Sequence, residues 1–200
     1  MKLQNTMVML VAAALLPLAS VAIAGESYNL DAGHSQIGFS VRHMGLSSVR
    51  GEFKDFTAQF EVDEKDLTKS SIVFEIDAAS IDTKDDDRDD HLRNADFLDV
   101  DNHPTITFKS KRIKSLGDGM YQATGDLSIH GVTKEVALDL EVGGPIQDPW
   151  GNMRIGIEGG VTIDRQDYDV NFSKVMDNGG LMVGNDVKIE FGLEAVRKTS

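Results

Sequence analysis

Alternation of apolar and polar side chains with period two runs through the chain from residue 25 onward. It restricts the fold to extended strands with one buried face. The pattern is cleanest in NDVKIEFGLEAV, where Val187, Ile189, Phe191, Leu193 and Ala195 share one face and Asp186, Lys188, Glu190 and Glu194 the other. RIGIEGGVTID aligns Ile155, Ile157, Val161 and Ile163, and TKEVALDLEV aligns Val136, Leu138, Leu140 and Val142. SQIGFSVRH puts Ile37, Phe39, Val41 and His43 together, and SSIVFEIDA does so with Ile72, Phe74 and Ile76. TITFKSKRI contributes Ile106 and Phe108, and ATGDLSIHG contributes Leu127 and Ile129. RGEFKDFTAQFEV starts in one phase with Phe53 and continues in the other with Phe56, Ala58, Phe60 and Val62, which predicts a bulge near Lys54 or Asp55.

Eight such segments, with no long helical pattern between them, predict an all-β, antiparallel, eight-stranded barrel or sandwich. Asp118-Gly119 and His130-Gly131 read as hairpin turns, and Gly143-Gly144-Pro145 as the start of a longer loop through Gly151. Strand glycines (Gly38, Gly51, Gly125, Gly156, Gly159, Gly160 and Gly192) mark bends or close approaches of the backbone.

The first 24 residues stand apart. One cation, Lys2, precedes an apolar run that ends in Ala22-Ile23-Ala24, a small-residue cleavage pattern. The expectation is a signal peptide over 1–24, cleavage after Ala24, a single domain over 25–200 and a periplasmic location. Loss of Lys2 from the 20 basic residues leaves 19 against 33 acidic ones, a net charge of −14. A field of that sign repels phosphate backbones, so nucleic acid is not an expected partner. There is no cysteine, so the hydrophobic core alone must hold an exported fold together. One Trp and three Tyr cannot supply the two aromatic girdles of a membrane-spanning barrel, and no stable membrane insertion is expected.

Few residues point to chemistry. DDDRDDHLRNADF, from Asp85 to Phe97, lacks the glycine and late glutamate of a calcium loop. It reads as a short helix, with acids in solvent and Leu92 and Phe97 pinning it to the sheet. Gly33-His34-Ser35 lacks the last glycine of a nucleophile elbow. His34 and His43, nine residues apart, fall on opposite faces of a strand. His103 and His130 read as structural hydrogen-bonders.

Four blocks in order, HSQIGFSVRHMGLSSVRGEFKDF, SIDTKDDDRDDHLRNADFLDVDNHPTITF, GDLSIHGVTKEVAL and DPWGNMRIGIEG, resemble the YceI-like, polyisoprenoid-binding proteins of the bacterial periplasm. Where many relatives carry D-F-G, this chain has Asp167-Tyr168-Asp169. The resemblance implies a lipocalin-like barrel with a long apolar tunnel, and binding of an isoprenoid or similar amphiphilic lipid without catalysis or cofactor. It also implies that the carboxylates of the acidic stretch face solvent. The tunnel lining would then be Ile37, Phe39, Val41, His43, Phe53, Phe74, Ile76, Phe108, Leu127, Ile129, Ile155, Ile157, Ile163, Phe172, Val187, Ile189 and Phe191. Arg88, His91 and Arg154 are the candidates for a lipid head group. The competing reading is a metal- or quinone-linked enzyme using His43, His91 and nearby acids; a homodimer is left open.

Overall fold

A computed structural model describes residues 25–177 and 179–198. The expected signal segment, 1–24, lies outside the described residues. Among them, no helix is long and apolar enough to cross a membrane.

Among the described residues, eleven strands form one closed antiparallel sheet: β1 (Glu26–Leu30), β2 (Gln36–His43), β3 (Ser47–Phe53), β4 (Phe56–Val62), β5 (Ser71–Asp77), β6 (Ile81–Asp82), β7 (Thr105–Gly117), β8 (Met120–Ile129), β9 (Val132–Gln147), β10 (Met153–Asp164) and β11 (Val183–Arg197). Three pairs of these are single strands bent in the middle. β1 and β2 lie on the same edge of β11, where Leu30 pairs with Ala195 and Gln36 with Gly192, and a 3-10 turn at Ala32–His34 separates them. β3 and β4 are separated by Lys54 and Asp55 alone, where the change of phase predicts a break. β5 and β6 are separated by a 3-10 turn at Ala78–Ser80. Counted this way, eight long strands form an up-and-down barrel closed by β1 and β2 on β11. Closure removes the free edges that would otherwise template aggregation.

The hairpin turns follow the expected chemistry. Asp118 and Gly119 have φ of 52° and 79°, and His130 and Gly131 have 50° and 77°. Two successive positive φ values match the right-handed twist of flanking strands. The loop expected from Gly143 is a correction. β9 runs on to Gln147, and Gly144 and Pro145 together oppose Ile155 in a bulge. A bulge is where a strand tolerates a proline, which has no N–H to donate to the ladder. β1 carries only Tyr28 and Leu30 as apolar residues, and the sequence pattern does not reveal it.

The barrel interior has two halves. In one, Tyr28, Phe60, Leu140, Ala123, Ile155 and Leu193 are almost fully buried and pack as a solid core. In the other, β6 pairs with β3 but not with β7, and α1 (Asp86–Arg93) follows β6 and packs against it. Asp85 caps α1, accepting from the Arg88 N–H at 3.1 Å.

Candidate apolar ligand site

The half of the barrel beside α1 is not filled. It holds a cavity of about 170 Å³, counted as room for the centre of a water-sized sphere. By that measure one water needs about 10–15 Å³, so the space suits a chain of atoms rather than a single solvent molecule. The wall is made by alternate residues of the strands: Ile37, Phe39 and Val41 from β2, Phe53 from β3, Phe74 and Ile76 from β5, Phe108 from β7, Leu127 and Ile129 from β8, Ile163 from β10, and Val187, Ile189 and Phe191 from β11. All thirteen are among the residues that alternation selects. The rings of Phe74, Phe108 and Phe191, with Phe74 centroids 5.9 and 5.5 Å from the other two, lie toward the packed half. Phe60, on the far side, meets Phe74 edge-on at 6.4 Å.

Two glycines make room for these rings. A Cβ at Gly51 would lie 2.5 Å from Phe39 Cζ, and one at Gly125 would lie 2.7 Å from Phe108 Cζ and 2.3 Å from the Lys109 carbonyl oxygen. The missing side chains therefore seat wall aromatics.

Four residues of the expected lining lie elsewhere. Ile155 and Ile157 border a separate void of about 30 Å³ in the packed half. Alternation fixes which face a side chain takes but not its height along the barrel, and β10 spans both halves. His43 ends β2 opposite Ser47 and Val183, outside the wall. Phe172 stands one layer out, its ring 4.8 Å from Phe97 and 5.1 Å from His91.

The cover over the cavity comes from residues that alternation does not select. Ile81, Leu92, Phe97 and Leu98 contribute from β6, α1 and the loop after it, and Arg165, Tyr168 and Val170 from the turn after β10. The inward packing of Leu92, Phe97 and Leu98 follows the reading of the acidic stretch as a pinned helix. One carboxylate of that stretch is a correction: Asp89 is buried rather than in solvent. It accepts from the Thr83 N–H at 2.9 Å and the Thr83 hydroxyl at 2.5 Å, and so holds the start of α1 against β6.

Two polar side chains in the cover are almost fully buried. Arg165 donates to the carbonyls of Gly184 (2.9 Å) and Val170 (2.6 Å) and to Asn185 Oδ1 (3.2 Å), all neutral acceptors. Burial lowers its pKa, against a smaller opposing pull from Asp164. Tyr168 carries the one buried side-chain polar atom among the described residues with no hydrogen-bond partner, its hydroxyl. Burial, with the charge of Asp167 adding to it, raises its pKa. Alternation missed both residues because they sit in a 3-10 turn, where period two does not apply.

The three head-group candidates separate. Arg88 is committed to Thr83, through Nε to the hydroxyl at 2.7 Å and a terminal nitrogen to the carbonyl at 2.8 Å, and lies 3.5 Å from Asp85. His91 is at the cover, edge-on to Phe97 at 5.0 Å, with Nε2 3.1 Å from Asp96 Oδ2. Arg154 sits apart from the cavity and binds Asp31 (2.8 Å), Asp148 (2.8 Å) and Glu194 (2.7 Å). Ser35, considered above as a nucleophile, donates to the Asp31 carbonyl at 2.8 Å and accepts from the Glu194 N–H at 3.0 Å. His43 and His91 belong to no cluster of three metal-ligating groups among the described residues.

Comparison with known proteins agrees with this architecture. The YceI-like domain family matches residues 28–195. UPF0312 protein ECA1782 of Pectobacterium atrosepticum is 37% identical over 197 residues, covering 98% of this chain and 99% of its own length. The crystal structure of Burkholderia cenocepacia BcnA matches with a TM-score of 0.73 at 26% identity, over 82% of this chain and 98% of that one. A polyisoprenoid binding domain from Saccharophagus degradans matches with a TM-score of 0.68 over 86% and 99% of the two chains; at 17% identity the likeness is one of fold. By sequence along most of its length, and by its barrel, this chain belongs to the YceI-like family.

Proposed function

We propose that the protein binds an isoprenoid or similar amphiphilic lipid, of quinone or polyprenyl type, and carries or stores it in the periplasm after cleavage following Ala24. One observation carries the reading: beside α1 the barrel interior holds an unfilled cavity walled almost wholly by aliphatic and aromatic side chains. Such a wall offers few partners to a polar substrate. Each methylene withdrawn from water into it contributes about 0.8 kcal/mol, and no covalent step is required. The fold shared with a polyisoprenoid binding domain supports the choice of lipid class. The buried Tyr168 hydroxyl, which lines the cavity without a hydrogen-bond partner, supports a contact with the lipid's polar end, and His91, beside Phe97 of the cover, is the second candidate.

The test is organic extraction and mass spectrometry of protein purified from its native host. A single class of prenyl lipid, near one molecule per chain, is expected, with a mature N-terminus at Gly25. Repeated recovery of protein free of any amphiphile contradicts the proposal.

A further inference from the structure

We propose that Asp99, His103 and His130 form a binding site for one divalent transition-metal ion of the zinc class, separate from the lipid cavity. Each residue offers a ligand atom, and these atoms lie within 4.8 Å of one another. Two imidazoles and one carboxylate make up three protein ligands with a fourth position left open, and this mixed nitrogen and oxygen set suits zinc, copper, nickel or iron rather than calcium or magnesium. Tetrahedral coordination at about 2.0–2.2 Å per bond spaces ligands roughly 3.3–3.6 Å apart. The side chains therefore need to draw in by no more than about 1.5 Å, which ring rotation can supply.

The surroundings are organised around these three residues. Asp99 adopts a left-handed backbone (φ 45°), held by its N–H to the Asn94 carbonyl at 2.9 Å and by its own carbonyl accepting from His103 at 2.8 Å. The Asn102 side-chain amide donates to both Asp99 carboxylate oxygens, at 3.0 and 2.9 Å, and so fixes their direction. His130 is also left-handed (φ 50°), and its Nδ1 lies 3.3 Å from the Tyr168 carbonyl oxygen. An imidazole that donates through Nδ1 to a backbone carbonyl presents Nε2 to an ion, the usual outer-shell arrangement of a histidine ligand. The His103 and His130 rings meet edge-on with centroids 4.7 Å apart. Gly131 leaves the space for this: a Cβ there would lie 2.7 Å from His103 Cε1. All three ligands are half-buried, so an ion can reach them from solvent.

The ion would act as a clip. Asp99 and His103 belong to the loop between α1 and β7, and His130 to the β8–β9 turn, so coordination ties the cover of the cavity to the barrel rim. Tyr168, whose carbonyl braces His130, is itself in the cavity wall.

The experiment uses tag-free mature protein stripped with chelator and titrated with Co²⁺ and Zn²⁺. One saturable equivalent is expected, with visible Co²⁺ bands displaced by Zn²⁺ and a rise in Tm on Zn²⁺ addition. His103→Ala and His130→Asn, the latter chosen because asparagine tolerates the left-handed backbone, should each weaken binding more than about tenfold. Both variants should keep the far-UV spectrum and Tm of the stripped parent, which shows that the loss is not unfolding. His34→Ala and His43→Ala should bind as the parent does. Absence of a one-to-one Co²⁺ site overturns the proposal, and so does binding unchanged in both cluster variants or weakened equally in His34→Ala.

Discussion

At the scale of single residues, one dense ion-pair group lies outside the cavity lining. Arg154 gathers Asp31, Asp148 and Glu194 from three separate parts of the chain. Its hydrogen bonds hold both Asp148 and Asp31 below the usual carboxylate range; Asn152 and Trp150 assist at Asp148, and His34 at Asp31. A carboxylate whose pKa is lower folded than unfolded adds stability above the unfolded value, near 3.8, and that stability is lost as pH falls through the folded value. Acid unfolding should therefore steepen below about pH 4. Asp148→Asn should lower Tm at pH 7 and reduce the fall in Tm between pH 5 and pH 3, as read by circular dichroism. Arg154, a candidate head-group contact in the sequence, has a different task that only the three-dimensional arrangement of the acids reveals. Asp169 makes a related point: its φ of 57° is the left-handed conformation that a glycine would take without strain.

At the scale of elements, the cover is the part of the fold with fewest ladder hydrogen bonds. α1 is eight residues long and cannot be stable alone. It is held by its Asp85 cap, by the Asp89–Thr83 bonds, and by Arg93, which donates to the carbonyls of Ala79 and Ile81 at 2.8 Å each. Asp89→Ala strands the buried Thr83 donors and should cost about 1–3 kcal/mol. Hydrogen exchange should then quicken in residues 83–98 well before it quickens in β7 or β11, and bound lipid should dissociate faster. Equal acceleration throughout the barrel would show that α1 is not a separate cover. The existence of this helix, and its Leu92 and Phe97 anchors, can be read from the sequence. The burial of Asp89 cannot, because an acid in an acidic run carries no sign of its partner.

At the scale of the whole molecule, one barrel is divided between stability and binding. Strand faces and the break at Lys54–Asp55 are legible because period two is strict where one face is buried. The division into halves is not legible: Ile157 and Ile163 share a strand, a face and a side-chain type, yet one borders the packed core and the other the cavity. Substitutions should separate the two roles. Ile157→Ala should cost about 2–5 kcal/mol while leaving lipid affinity intact in the folded protein. Val187→Phe puts a ring into empty space and should leave Tm nearly unchanged. By displacing about two methylenes of ligand it should weaken binding by tenfold or more.

The most direct measurement is photo-crosslinking of the folded protein with a prenyl chain bearing a diazirine, followed by peptide mapping. Labels are expected on wall residues such as Ile37, Phe108, Leu127 and Val187, competed away by unlabelled polyprenol and lost in Val187→Phe. Labels confined to the outer surface, or insensitive to competitor, would contradict a ligand held inside the barrel.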